Sequence, residues 1–458
     1  KPPKMKKIFC CIAALAIGLS TMAQESVTPI VASTQQSKPN ARAGKIAKYR
    51  RSSLYSVLIR HSAFKYGNTI DSTFLSMPTP DKFNNHDLAV KSFESSAVKQ
   101  KKRGKAKVDA NAADIDRFLC ENNIAKGLVE KWFCRDAQTG AFNMGLIQQR
   151  GNYDASQADI HIADGGALGR AILADAGEDL IGKTFLLVND ITFVDKGEKS
   201  AKAGMWLRLL GQAAAAVTND SSLESAGNAA EKIVSEIDGF SVNITSYLYR
   251  LVWDDDMAGM FYTQYWVDKK NLDPLRVQAF DTCNIFKVSY VGTTTTSAAN
   301  LSTKSFANKT KESQMLKVCT RAIDKSIVQL QREYDEFKVN VPLYKINEDG
   351  TVDVQIGLKE GINAKSQFDV LLPIEMEDGK TRYDKVGKIE PLADKIWDNR
   401  FGADEDAEIL AADKDAKSTD AEEAAGNVAL TATTFRVLSG ANKIIPGCLV
   451  REVTIKRD

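Results

Sequence analysis

Gly177-Glu-Asp-Leu-Ile-Gly182-Lys183-Thr184-Phe-Leu-Leu-Val-Asn-Asp-Ile-Thr-Phe-Val194 is the stretch on which the fold turns. Its opening, Gly177 to Thr184, spells the phosphate-loop pattern G-x-x-x-x-G-K-T. A phosphate loop must follow a strand and open a helix, so that backbone N–H groups and the positive helix end face the anion. Here the residues after Thr184 are β-branched and aromatic, and those before Gly177 look helical. Glu178 and Asp179 would also repel the phosphates. The reading that survives is a helix ending near Gly177 and turning through Gly182 into a strand over Thr184–Val194, the strongest strand signal in the chain.

Helices and strands extend from this strand on both sides. Asp109–Cys134 reads as helix, with Asp109 and Asn111 as N-cap candidates and a stripe of Ile115, Phe118, Leu119 and Ile124. Gln157–Ala176 follows as a helix weakened by Gly165 and Gly166, each at about 1 kcal/mol. Beyond the strand, Lys199–Val217 and Ala229–Ile237 read as helices, and Val242–Trp253 and Ile285–Val291 as strands rich in Tyr, Val, Ile and Phe. Met315–Phe337 keeps the helical period through Val318, Cys319, Ala322, Ile323, Ile327, Leu330 and Tyr334. Together these form a central helix-on-sheet domain over residues 109–338.

The pattern changes after Val339. Short β runs follow at Val341–Ile346, Val352–Ile356, Phe368–Leu372, Val386–Ile389, Ala429–Leu438 and Leu449–Ile455, with hairpin turns at Asp349-Gly350 and Asp378-Gly379. Residues 339–458 are therefore expected to form a small antiparallel β-barrel-like domain. The acidic, Ala-rich stretch Ala403–Asn427 interrupts it as a disordered insert or lone solvated helix. The fold class is α+β.

Toward the N-terminus, residues 51–108 form a segment with a strand at Ser53–Ile59 and a turn-rich passage, Lys65–Asp87, holding Pro78 and Pro80. The basic run Lys99–Lys107 reads as a solvated loop. Residues 24–50, rich in Ser, Thr, Gln, Ala and Lys, read as a disordered linker. Residues 1–23 read as a signal peptide with a short upstream extension. Lys6 and Lys7 precede the apolar run Ile8–Leu19, and Thr21-Met22-Ala23 forms a small-residue cleavage site. That run is shorter than the roughly 20 apolar residues needed to span a bilayer. Export to the periplasm or the extracellular space is the expectation, where nucleotides are scarce.

Composition narrows the function classes. The 458 residues are enough for two or three domains, and the 43% apolar and 26% charged shares are ordinary for globular chains. A net charge of +2 speaks against a nucleic-acid partner. Cys10 and Cys11 fall in the leader, with no lipobox small residue before them. Cys120, Cys134, Cys283, Cys319 and Cys448 show no C-x-x-C spacing, so they read as small buried hydrophobes, with one oxidised pair as an option, rather than as a zinc site or disulfide framework. Neither cofactor nor metal is expected.

The remaining candidates each have a plain reading. Gly165-Gly166-Ala-Leu-Gly169 lacks a preceding strand and reads as close helix packing. His61, His86 and His161 form no H-E-x-x-H pattern, and no G-x-S-x-G elbow accompanies them, so each reads as an ordinary core or surface imidazole. Asp254-Asp255-Asp256 reads as a strand end and helix cap, with Asp256 placed well before Met257. Phe261, Tyr262, Tyr265 and Trp266 have helical spacing and read as core. Trp206–Leu210 with Ala213–Ala216 reads as a buried helix too short to span a membrane. No catalytic, cofactor-binding or metal-ligating residue is assigned.

The C-terminal pattern resembles that of Gram-negative envelope-assembly proteins, notably the flagellar-assembly T-type family. There a strand, a Gly-x-x-x-Gly turn and a strand recur, matched here by Gly357-Leu-Lys-Glu-Gly361, Lys365-Ser-Gln-Phe368-Asp-Val370 and Val386-Gly387-Lys388-Ile389. Lys183–Val194 and the alternating elements after it are loosely similar to the curli-secretion family, whose lipidated cysteine has no counterpart here. The leader with its Met22-Ala23-Gln24-Glu25 exit resembles those of secreted Bacteroidota proteins. These resemblances imply assembly and binding roles. The expected function is a non-enzymatic exported envelope protein with a protein partner, leaving room for peripheral membrane association and oligomerisation. The alternative is a secreted hydrolase or carbohydrate-binding protein using Asp254–Asp256, His161 and the aromatics near Trp266.

Overall fold

The computed structural model of the chain describes residues 45–46, 51–96, 111–152, 180–193, 241–299, 310–375, 381–405 and 430–453. The leader, the basic run 99–107, Gly177 to Asp179, the glycine cluster 165–169, His161 and Asp378-Gly379 lie outside them. So do the expected helices at 157–176, 199–217 and 229–237, and residues 406–427 of the acidic insert.

The class is α+β, as the patterning predicts: a mixed sheet sandwiched by helices, followed by a closed antiparallel barrel. At the sheet's centre, β2 (Ser53–Arg60) runs parallel to β5 (Thr184–Phe193), from Ser53 opposite Thr184 to Ile59 opposite Asp190. The short strands β3 (Asn84–Asn85) and β4 (Ser92–Glu94) flank β2 on the other side, also parallel. Beyond β5, β6 (Ser241–Leu251) and β7 (Val288–Ala299) continue the sheet antiparallel. The segment 51–108 thus supplies the sheet with β2, β3 and β4. Thr184 opens a strand, after a 3-10 turn at Ile181–Lys183, so no helix stands where a phosphate loop requires one.

Both faces of the sheet are covered, which explains why β5 reads as a continuous apolar run rather than an alternation. One face buries Leu54, Leu58, Phe185, Leu187 and Leu248 against α1 (Gly67–Ser76) and α7 (Lys311–Glu333). The other buries Tyr55, Val57, Leu186 and Val188 against α2 (Ala112–Glu121) and α3 (Ile124–Trp132). The remaining α-helices among the described residues are α4 (Gly145–Asn152), α5 (Asp255–Met260) and α6 (Pro274–Thr282).

Four local expectations need correcting. The turn-rich passage 65–87 contains α1, whose Gly, Asn, Thr and Ser content disfavours helix. Burial of Ile70 and Phe74, one turn apart, against the α7 side of the core overrides that propensity. The helix expected over 109–134 is two helices, broken where Asn123 adopts φ 48, a conformation asparagine tolerates better than most residues. Helix α7 ends at Glu333. Phe337 then packs from a 3-10 turn onto Phe83 and Phe185. Within the expected linker, Lys45–Ile46 forms β1, pairing with the end of β10 through backbone groups that need no apolar side chain.

The barrel closes in the order β10 (Phe368–Glu375), β11 (Thr381–Pro391), β12 (Thr433–Ser439), β9 (Val352–Val354), β8 (Val341–Ile346) and β13 (Leu449–Glu452), and β13 returns to β10 with Phe368 opposite Glu452. Val354, Val370, Ile389, Phe435, Cys448 and Val450 fill it. Gly350 turns the β8–β9 hairpin at φ 81, as the Asp-Gly pair predicts. Helix α7 holds the barrel to the sheet: Arg332 grips Glu452 with two hydrogen bonds, at 3.0 and 2.7 Å.

Candidate functional site

The site lies at this seam, and the Gly357–Gly361 turn supplies part of its wall. Gly361 adopts φ 69. A Cβ on Gly357 would lie 2.0 Å from the Trp397 carbonyl oxygen, so only glycine lets the two backbones meet. Glu360 Oε2 accepts from the Gly357 N–H at 2.7 Å and from Asn399 Nδ2 at 2.7 Å. Asn399 Oδ1 in turn accepts from the Lys359 N–H at 2.9 Å. The locked turn directs Lys359 across the seam, where its Nζ donates to Asp81 Oδ1 at 2.9 Å. Lys82 crosses the other way and donates to the Gln355 carbonyl at 2.7 Å.

Helices α1 and α7 complete the lining. Phe74, Met77 and Ile323 form the apolar part of a cleft of about 250 Å³; Asp81, Asp324 and Lys359 supply charge, as do Asp87 and Lys91, which pair with each other at 2.8 Å. Asp81 and Lys359 satisfy each other: their mutual attraction, with Lys82, outweighs burial and holds the Asp81 carboxyl below its usual range. Burial opposes the charge on Lys359, but Asp324 and Asp81 raise its pKa nonetheless. Asp324 differs. Among the described residues no group donates a hydrogen bond to its carboxylate. Burial pushes that carboxyl up to about 6; Lys359 and Arg321 pull it down, and Asp81 and Glu360 add to the rise. The cleft therefore holds one carboxylate that titrates near neutrality and has no protein donor, an arrangement that accepts a hydrogen bond and positive charge from outside.

His61 and His86 are core residues. His61 Nε2 lies 2.7 Å from Asp190 Oδ1, and Asp190 Oδ2 accepts from Asn111 Nδ2 at 2.7 Å. Asn111 occupies the N-cap position of α2, but its side chain makes no cap bond and instead ties the helix to β5 and to the Tyr247 hydroxyl of β6. His61 Nδ1 is buried without a partner. This pair sits at the C-terminal ends of two parallel strands, where α/β sheets commonly place ligands. Its side chains are each only 4% exposed, so it serves as an internal pin.

At the opposite ends of those strands, His86 donates through Nε2 to the Leu128 carbonyl at 3.0 Å and accepts through Nδ1 from Arg150 at 2.9 Å. Arg150 also bonds Ser53 Oγ and the Asn85 carbonyl, and stacks on Trp132 at 4.5 Å. Burial, then Arg150, pushes His86 down to about 3, and burial lowers Arg150 to about 10. The His86–Arg150 contact had no signal in sequence spacing.

The triple aspartate caps α5, though through Asp254, which accepts from the Met257 N–H at 2.9 Å; Asp256 sits two positions past the cap, inside the helix. Phe261 and Tyr265 are buried in a short π-helix, and Tyr262 and Trp266 pack against the same core, with Phe133 stacked on Phe261 at 4.4 Å. Cys319 and Cys448 are buried as expected, but Cys120 and Cys134 are exposed and Cys283 half-buried, all as free thiols. Cys134 is exposed because it turns the chain out of α3 at φ 42. Among the described residues no cluster could hold a metal ion, and no helix is long and apolar enough to cross a membrane. Compared with known proteins, the sequence matches no family model and no curated protein.

Proposed function

We propose that the chain is an exported, non-catalytic envelope protein that binds another protein, and that the face carrying the seam cleft receives the partner. The observation behind this reading is the size and lining of the cleft. At about 250 Å³ it is smaller than the roughly 300–1,000 Å³ of small-molecule sites. It nevertheless joins an apolar floor, a carboxylate without a protein donor and the 37% exposed ring of Phe401. Such a lining suits one protruding side chain better than a whole metabolite. Export rests on the leader pattern of Met5–Gln24, and the likeness of the strand–turn–strand pattern to envelope-assembly families points the same way. Asp254 is occupied as a helix cap and Phe261 is fully buried, so neither favours the hydrolase or sugar-binding alternative.

The test is a photo-reactive amino acid at Phe401, with a control at Leu275, which is 77% exposed on α6. Irradiated in intact cells, the Phe401 probe is expected to yield a discrete protein adduct in the envelope fraction that the Leu275 probe does not. Identical adduct patterns from both positions, or none, would remove the reading.

A further inference from the structure

We propose that the seam cleft is a receptor for a lysine or arginine side chain presented by the partner protein, with Asp324 as the group that takes its charge. This deepens the protein-binding reading and rests on it. Three features converge. Phe74, Met77 and Ile323 offer an apolar floor that can cover a methylene stem, the way such side chains commonly bury their stems. Asp324 lines the same cleft with a carboxylate that no described residue hydrogen-bonds. Lys359, a cation of the same lining, is already held by Asp81 at 2.9 Å, so the half-buried Asp324 carboxylate faces the cleft with no protein donor. The local balance therefore favours an incoming cation over an anion or a neutral group.

Burial of Asp324 without a donor has a cost in the free protein. Its folded pKa of about 6 lies above the ordinary value of 3.8, so the folded state binds the extra proton between these pH values. The sign follows: stability is complete below about 3.8 and is lost as pH rises through 6. Asp324→Asn should therefore raise the melting temperature at pH 7.5 and change it little at pH 4, so the variant is a folded reporter. A lower melting temperature at pH 7.5 would show that Asp324 is already satisfied within the protein and would overturn the proposal.

The binding test uses the full chain and two small probes, N-acetyl-lysine methylamide and its uncharged isostere N-acetyl-norleucine methylamide. Methyl resonances of Met77 and Ile323 report occupancy by NMR. The lysine probe should shift them at pH 7.5 and the norleucine probe should not. Affinity should fall about tenfold at pH 5, where protonation removes most of the Asp324 charge, and Asp324→Asn should abolish binding at both pH values. Equal shifts from both probes, no shift from either, or unchanged binding by Asp324→Asn would each reject the cation site. Lysine-probe binding without any Phe401 adduct would keep the cation site and reject the polypeptide partner. An adduct without probe binding would do the reverse.

Discussion

The mixed sheet and the barrel solve the same problem, an unpaired strand edge, by opposite means. The barrel returns β13 to β10 and has no free edge along that closure. The sheet stays open, and at one side it ends in β7, whose sole strand partner among the described residues is β6. An exposed edge of that length invites pairing with another chain. Helix α7 and its C-cap residue Tyr334 cover it with side chains. The Tyr334 hydroxyl accepts from the Thr293 N–H at 3.2 Å and donates to the Thr293 carbonyl at 3.4 Å, and Lys325 Nζ donates to the Ser297 carbonyl at 3.1 Å. Gly292 makes room: a Cβ there would lie 1.9 Å from the Tyr334 ring. A closed sheet guards itself, whereas an open one depends on an element from elsewhere in the chain.

The largest effect expected from breaking this comparison lies in the cores. Trp132→Ala removes a fully buried ring that donates to Thr184 Oγ1 at 2.8 Å, and Phe435→Ala removes the matching ring of the barrel. Each should cost about 3–5 kcal/mol in denaturant unfolding. Hydrogen exchange should place the loss for Trp132→Ala in the sheet and its α2–α3 layer, and for Phe435→Ala in the barrel. Equal loosening of both regions by either variant would show that they unfold as one unit.

Acid should separate the two regions next. Folding keeps His86 neutral down to about pH 3, whereas the unfolded chain protonates near 6.5. The unfolded state binds the extra proton in between, so this contribution is complete above pH 6.5 and declines as pH falls toward 3, by up to about 1.4 kcal/mol per pH unit. The barrel contains no histidine. Exchange rates compared at pH 7 and pH 4.5 should therefore rise more around β2 and α3 than in β10 and β11, and His86→Gln should flatten the dependence. A slope unchanged by that substitution would disprove the assignment.

The smallest effect is at the guarded edge. Tyr334→Phe keeps the ring over Gly292 but deletes the hydroxyl, and should lower stability by about 1 kcal/mol. Light scattering at raised concentration should show faster association, because Thr293 is left open on β7. Unaltered association would mean that the ring alone shields the edge.

These contrasts also show what sequence reading can reach. The helical period located α7, and strand-forming apolar runs bounded by turns located β2, β5 and the barrel strands. Helix α1 escaped because its residues favour helix weakly and it forms only against α7. The cleft escaped for a similar reason. Asp81, Asp324 and Lys359 are ordinary surface-type residues far apart in the chain, and only the packing of three elements brings them together. The Gly357–Gly361 turn was visible as a pattern, but nothing in it announces that Lys359 crosses to Asp81. For His61 and His86 the sequence left core and surface open, and Asp190 and Arg150 had no spacing that tied them to those rings.

The protection of β7 by α7 also sets an order of events during biogenesis. The strand is complete at Ala299, but Tyr334 and Lys325 follow it in the chain. A polypeptide emerging N-terminus first thus displays the bare strand until the helix has arrived and docked. That interval is when a holding chaperone would be needed most, and it closes only once α7 has settled on the sheet.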